Sequence, residues 1–424
     1  MLPSPLAAFC RASLASILLV LAVPAAAEEK SPVERLDELE NELRALREKL
    51  KEKNGEGAPA AEKEPSIPGG ARTAFDKVLS RTRLSGYFDL EFTDFRHKNS
   101  TFDNHHVVLT ISSWIHERIF FNTEIEYEHG GAELGIEQAW LDFLIHDAIN
   151  FRGGVLLIPF GRLNALHDSD LRDLTLRPIA TTLITPTTWS ETGVALYGSF
   201  FLGGVTLNYQ ACLTNGLTGD LTVKNGTRDA RPSLESDNNS DKSYSARLEA
   251  VAWEGKLVIG ASAYGGRFDD KGDATMFMYG ADLTLAIPLA EPGGWISGPL
   301  EIRAEAARFT ADPSLDSSGA PTPHRGIGGF VQASFHFFPP FLKETFLGKD
   351  FDNPTFTLVA LWDAAEIDAP EAAHNNHQRR LSFGLNYRPI EQVAFKVEYI
   401  KENSDEIFGN FERNGWAASV VAGF

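Results

Sequence analysis

The last ten residues, Gly415 to Phe424, form a period-two strand that carries Trp416, Ala418, Val420, Ala422 and the terminal Phe424 on one face. A strand with one wholly apolar face must lay that face against something apolar. If that medium is lipid, every backbone N–H and C=O must pair within the protein, and the sheet has to close on itself. A soluble strand that ends on Phe accounts for this segment taken alone, so the other segments decide.

They repeat the pattern. From Leu84, the residues Leu84, Gly86, Phe88, Leu90 and Phe92 share one face, opposite Ser85, Tyr87, Asp89, Glu91 and Thr93. Phe121, Thr123, Ile125 and Tyr127 oppose Asn122, Glu124, Glu126 and Glu128, and Tyr244, Ala246, Leu248 and Ala250 oppose Arg247 and Glu249. Leu300, Ile302, Ala304 and Ala306 oppose Glu301, Arg303 and Glu305, while Leu381, Phe383, Leu385 and Tyr387 alternate with Arg380, Ser382, Gly384 and Asn386. Soluble sandwiches alternate too, but their hidden face is apolar. Here the candidate inward face carries carboxylates and guanidinium groups that must stay hydrated, as in a water-filled transmembrane barrel.

Connections support the same architecture. Tight turns are expected at Arg388–Gln392 and around His146-Asp147-Ala148, and long polar loops at 222–242, 311–325, 363–378 and 402–414. Short turns on one side and long loops on the other are the asymmetry of outer-membrane barrels. Dividing the 341 residues from Leu84 to Phe424 by roughly 20 residues per strand plus connection gives about 16 to 18 strands. The expected fold is therefore all-β, a transmembrane antiparallel barrel of 16 strands over residues 84–424.

The N-terminal part reads differently. Arg11, the apolar run Ala12 to Val23 and the small residues before Glu28 form a secretory signal peptide over 1–27. A retained anchor helix is the alternative, although the run is shorter than the roughly 20 residues a spanning helix needs. Leu36, Leu39, Leu43, Leu46 and Leu50 recur at steps of three and four, so 28–53 reads equally as a periplasmic coiled-coil helix or a solvated amphipathic helix. The Gly- and Pro-containing stretch 54–83 follows as a flexible linker. Of the two cysteines, Cys10 lies in the signal peptide, leaving Cys212 without an intramolecular disulfide partner.

The stretch Phe151-Arg152-Gly153-Gly154-Val155-Leu156-Leu157-Ile158-Pro159-Phe160-Gly161-Arg162 resembles the G-x-x-x-x-P-F-G strand of the phosphate-selective porin O and P family. The Tyr387-Arg388-Pro389 turn with Phe395-Lys396-Val397-Glu398-Tyr399 is similar to that family's penultimate hairpin, and a terminal aromatic resembles the insertion signal of Gram-negative outer-membrane barrels. The resemblance implies a passive porin, with an N-terminal periplasmic coiled coil in some branches. Charge departs from phosphate selectivity, which in the family uses channel-lining Arg and Lys. The precursor's net charge is −19, and the acid excess falls mainly on the barrel. The expectation is a homotrimeric channel in outer-membrane lipid for small hydrophilic solutes or ions, with cations or neutral solutes preferred. An acidic chain is not expected to bind nucleic acid.

The run from Pro159 to Glu191 is the expected constriction, with Arg162, His167, Asp168, Asp170, Arg172, Asp173 and Arg177 as candidates and Ala165 to Leu176 as a short lumenal helix. An external or subunit-contact loop is the alternative. Expected pore-wall residues are Glu124, Glu126, Glu128, Arg247, Glu249, Glu301, Arg303, Glu305, Arg380, Lys396 and Glu398. Asp168-Ser169-Asp170 with Asp173 lacks the glycine and terminal glutamate of an EF-hand. His105-His106 and His374 with His377 read as surface histidines rather than metal ligands. Nucleophile, zinc-protease and phosphate-loop motifs are missing, so no enzyme activity, cofactor or metal is expected. Two further readings remain: an envelope tether acting through the N-terminal helix, and a barrel lipid hydrolase.

Overall fold

A computed structural model describes residues 79–289, 298–370, 374–404 and 414–424. The expected signal peptide, coiled-coil helix and most of the linker lie outside these residues. The described residues form sixteen strands: β1 (Thr82–Phe95), β2 (Thr101–His116), β3 (Ile119–Glu128), β4 (Glu133–His146), β5 (Ile149–Leu157), β6 (Ser190–Leu202), β7 (Val205–Thr214) and β8 (Ser243–Ala252), then β9 (Leu257–Arg267), β10 (Thr275–Leu289), β11 (Gly298–Ala311), β12 (Arg325–Phe337), β13 (Thr355–Asp368), β14 (Asn376–Ile390), β15 (Val393–Ser404) and β16 (Gly415–Gly423). Each pairs antiparallel with its neighbours in sequence, and β1 pairs with β16, giving a closed 16-strand barrel. Closure leaves no sheet edge.

The side-chain alternation sorts by face. Leu196, Leu248 and Phe383 on the outer surface are 47%, 55% and 57% exposed, whereas Asp363 and Asp282 inside are 0% and 2% exposed. An outer surface carrying this many large apolar side chains exceeds what water tolerates on a monomer. Aromatic pairs mark both rims: Phe143–Phe151, Phe200–Tyr209 and Phe356–Tyr387 near one, Tyr399–Trp416 near the other.

Connections at 117–118, 147–148, 203–204, 253–256 and 391–392 lie at the end where β1 begins and β16 finishes. Residues 158–189, 215–242 and 312–324 lie at the opposite end. Two connections differ from expectation. Residues 338–354, at the short-turn end, form a long connection with a 3-10 turn at Pro340–Leu342. The expected loop 363–378 shrinks to 369–375, because β13 and β14 continue pairing through Glu366↔His377 and Ile367↔Asn376. Most of the expected loop 402–414 lies outside the described residues.

The interior is not uniformly polar, a departure from the alternation argument. Towards the long-loop end, Tyr264, Met276, Met278, Phe309 and Ile367 on β9, β10, β11 and β13 form an apolar cluster. Into it pack Phe160, Ile184 and Trp189 from the β5–β6 connection and Leu217, Leu221 and Ala230 from the β7–β8 connection. The β7–β8 connection therefore folds inward over the lumen rather than standing outside it.

Candidate functional site

The β5–β6 connection, residues 158–189, is seated inside the barrel, and its seating begins with two glycines. On β5, Gly154 has φ +137° and a Cβ there would stand 2.1 Å from the Ala139 carbonyl of β4. Gly161 turns the chain inward at φ +70°, where a Cβ would meet the Glu305 carboxylate at 2.1 Å. Both positions therefore demand glycine. Asn164 closes the neck: its Nδ2 donates to the Ile158 and Trp189 carbonyls at 2.9 and 3.0 Å, and its Oδ1 accepts from the Trp189 N–H at 2.9 Å. Pro159, without an N–H, suits a strand end.

From there the loop is fastened to the inner wall by charged side chains. Glu305 Oε2 accepts the N–H groups of Arg162 and Leu163 at 3.0 and 3.1 Å. Glu398 accepts the Leu176 N–H at 2.8 Å, and Asp363 accepts that of Ile179 at 3.1 Å. Lys396 donates to the Ser169 carbonyl, Arg380 to that of Arg177 at 2.9 Å, and Arg388 to that of Asp170 at 2.8 Å. Hydrogen bonds to charged groups contribute roughly 1.5–3 kcal/mol each. Glu305, Arg380, Lys396 and Glu398, expected as pore wall, thus act as anchors of the loop. The segment Ala165 to Leu176 is not helical; the loop holds a 3-10 turn at Leu163–Leu166 and one helical turn at Ala180–Leu183. Wall carboxylates supply the acceptors that a helix would have drawn from its own backbone.

The seven constriction candidates divide by role. Arg172 is buried and donates to the His167, Leu174 and Thr175 carbonyls and to Ser169 Oγ, so it holds the loop's own shape. Asp173 accepts from Gln332 Nε2 at 3.0 Å and Ser334 Oγ at 2.7 Å. It points into the wall, away from Asp168. His167 is also buried, paired through Nε2 with Glu137 of β4, and with Asp168 at 3.2 Å. Asp170 contributes its carbonyl. Arg162, half-buried, reaches Glu249 at 3.0 Å, and Arg177, half-buried, donates to the Thr187 carbonyl at 3.4 Å.

On the wall, charges pair both within and between strands. Arg247 joins Asp282 and Glu249, Arg303 joins Glu301, and Arg152 joins Asp142 beneath the Trp140 ring. Across β1–β4 lies an acidic run: Glu124, which accepts from Gln138 Nε2 at 2.8 Å, then Glu126 and Glu128, which flank His106 Nε2 at 3.1 and 3.4 Å, and Glu137. Opposing it is an arginine group. Arg177 from one loop and Arg228 and Arg231 from the other lie within electrostatic reach of one another, Arg228 and Arg231 also of Glu128, and Arg177 of Glu126 and Glu137. Arg228 donates to the Thr187 carbonyl and Arg231 to that of Thr188 at 3.0 Å, joining the two loops. Burial pulls the Arg228 guanidinium down to about 10, with Arg231 and Arg177 adding to the effect. It is still cationic at neutral pH.

Sequence reasoning missed Glu137, Arg228, Arg231 and the inward placement of His105 and His106. The histidines and Glu137 sit beside register shifts, at Asp89/Leu90 in the β1–β2 ladder and at Glu124/Ile125 in β3–β4. Each bulge brings two successive residues to one face, which period-two reading assigns to opposite faces. Arg228 and Arg231 sit in a polar loop whose buried members, Leu217, Leu221 and Ala230, were the available signal.

No family model matches the chain. An uncharacterized protein of Aquifex aeolicus is 26% identical over 369 residues, covering 81% of each chain. Among solved structures, OmpF of Salmonella typhi in complex with daunomycin aligns with a TM-score of 0.52 at 11% identity, over 81% of this chain and 97% of its own. OmpT of Vibrio cholerae in its trimer form aligns with a TM-score of 0.50 at 10% identity, over 81% of this chain and 99% of its own. At such identities the likeness carries the fold: a closed 16-strand antiparallel barrel similar to outer-membrane porins.

Proposed function

We propose that this protein is an outer-membrane porin, a water-filled channel for passive diffusion of small hydrophilic solutes and ions, assembled as a homotrimer and without enzymatic activity. The observation that carries this reading is the β5–β6 loop seated in the lumen with an arginine group facing the acidic run of β1–β4. Fixed charges of opposite sign on two sides of a narrow passage make a transverse field. That field orients dipolar solutes and lowers the cost of partial dehydration. The acidic excess of the wall favours cations, so phosphate selectivity is not part of the proposal.

Planar-bilayer recording of the purified protein across a salt gradient tests it. The expected result is stepwise conductance closing in threes, with a reversal potential of weak cation preference. A folded protein that passes no current would overturn the channel reading, and strong anion preference would overturn the assignment of selectivity to the acidic wall.

A further inference from the structure

We infer that the lumen wall holds a binding site for one divalent first-row transition-metal ion, formed by Asp89, His105 and His106. The bulge at Asp89/Leu90 pairs Asp89 with His106 and Leu90 with Asn104, leaving His105 as the extra residue of β2. Both neighbouring imidazoles therefore turn to the same side, with ring centroids 3.8 Å apart. One ligand atom from each of the three side chains lies within 4.8 Å of the other two. Metal–donor bonds of about 2.1 Å in a tetrahedral site put donors about 3.4 Å apart. His106 Nδ1 and Asp89 Oδ2, 3.7 Å apart, need only a small adjustment.

Two observations point to a ligand beyond the clustering itself. His106 and Asp89 are each 1% exposed, yet His106 Nδ1 and Asp89 Oδ1 have no hydrogen-bond partner, nor does either ring nitrogen of His105. Buried unpartnered groups of this kind are costly unless something satisfies them. The other face of His106 is already occupied: Nε2 lies 3.1 Å from Glu126 and 3.4 Å from Glu128. A carboxylate behind a ligating imidazole fixes its tautomer and strengthens it as a donor, the usual outer shell of a histidine metal site. Two imidazoles and one carboxylate suit Zn2+, Ni2+, Cu2+ or Fe2+, whereas Ca2+ and Mg2+ take oxygen ligands throughout. The remaining coordination positions go to water from the lumen. A bound ion cancels part of the acidic run and brings Arg177 and the wall closer to electrical balance.

Titration calorimetry of the full folded barrel in detergent with Zn2+ tests this without reference to channel activity. One ion per chain is expected. His105→Ala and His106→Ala are each expected to weaken binding at least tenfold, and Glu128→Gln to weaken it by about tenfold through the outer shell. Heat-modifiable gel mobility checks that each variant remains a barrel. His105 is partly exposed and off the ladder, so its variant keeps the test decisive if His106→Ala does not fold. Cu2+ bound to the protein is expected to show hyperfine coupling to two imidazole nitrogens. Binding unchanged in His105→Ala, or lost only in His167→Ala or in the His374→Ala/His377→Ala variant, would overturn the assignment.

Discussion

At the scale of single residues, Asn164 has the largest consequence per atom. Its amide makes three hydrogen bonds that tie Ile158 to Trp189 across the mouth of the loop, and it is fully buried. Asn164→Ala leaves the Trp189 N–H without a partner, while the Ile158 and Trp189 carbonyls lose one bond each and keep the N–H groups of Phe160 and Ile158. Each buried unsatisfied group costs about 1–3 kcal/mol, so the loop neck is expected to loosen while the outer sheet persists. The measurement is open-channel noise, which should rise at unchanged heat-modifiable mobility; a quiet channel of wild-type conductance would show that the neck is held by the Trp189 packing instead. Gly161→Ala should act more severely, since it meets both a positive φ and the Glu305 carboxylate. The glycines of the motif were readable as a pair at fixed spacing, but their reasons were not: one needs room beside β4, the other beside β11, and neither neighbour is local in sequence. Asn164 stood out only as one polar residue of the charged run and carried no signal of its bracing role, because a polar residue in a polar loop looks solvated until its partners are known.

At the scale of elements, the proposed channel would owe its selectivity to the two inward loops and the wall they face. Arg177, Arg228 and Arg231 come from two connections separated in sequence, and the Arg228 guanidinium, lowered to about 10, stays charged at neutral pH. Replacing all three with Gln removes three positive charges opposite the acidic run. Cation preference should increase, read as a shift of the reversal potential in a tenfold salt gradient. The reciprocal change, Glu124→Gln/Glu126→Gln/Glu128→Gln, should reduce it. Both effects should shrink in molar salt, where screening falls to about 3 Å; shifts of the same sign in the two variants would sink the transverse-field account. The Arg228 charge is present below about pH 10, so selectivity should move towards that of an Arg228→Gln variant as pH rises through that value. A separate prediction concerns seating: the Glu305→Ala/Glu398→Ala double variant removes the acceptors for three loop N–H groups. Its conductance should rise and fluctuate, and a wild-type trace would transfer the anchoring role to the apolar cluster. The inward loop was legible as a charged run between β5 and β6. Which charges fasten the loop was not, since Arg172 is turned onto the loop's own carbonyls and Asp173 onto Gln332 and Ser334 of a distant strand, and neither partnership is marked in the local sequence.

At the scale of the whole molecule, the fold follows from one repeated rule and one closure. Alternation at Leu84–Phe92, Phe121–Glu128, Tyr244–Ala250, Leu300–Ala306 and Leu381–Tyr387 was sufficient to specify a closed antiparallel barrel, because a soluble sandwich does not place carboxylates along its hidden face. What alternation could not reveal was the apolar cluster of Met276, Met278 and Phe309, which fits the period but receives loops rather than lipid or water. Closure rests on the terminal strand. Phe88 pairs with Ala422 and Phe95 with Gly415, and Gly86 exchanges two backbone hydrogen bonds with Phe424 at 3.1 and 2.9 Å. The last residue thus completes the ladder that makes the sheet edgeless, with its ring on the outer surface. Deleting residues 416–424 strips β1 and β15 of their partner and leaves two open edges, a state that lipid does not tolerate. Such a chain should fail to reach the heat-modifiable form in vesicles. Phe424→Ala should retain the ladder and fold, with slower assembly, because it removes only the ring at the rim. Refolding into phospholipid vesicles, followed by gel mobility over time, separates the two. If the deletion variant folded as fast as the intact chain, closure by β16 would not be what commits this sequence to a barrel.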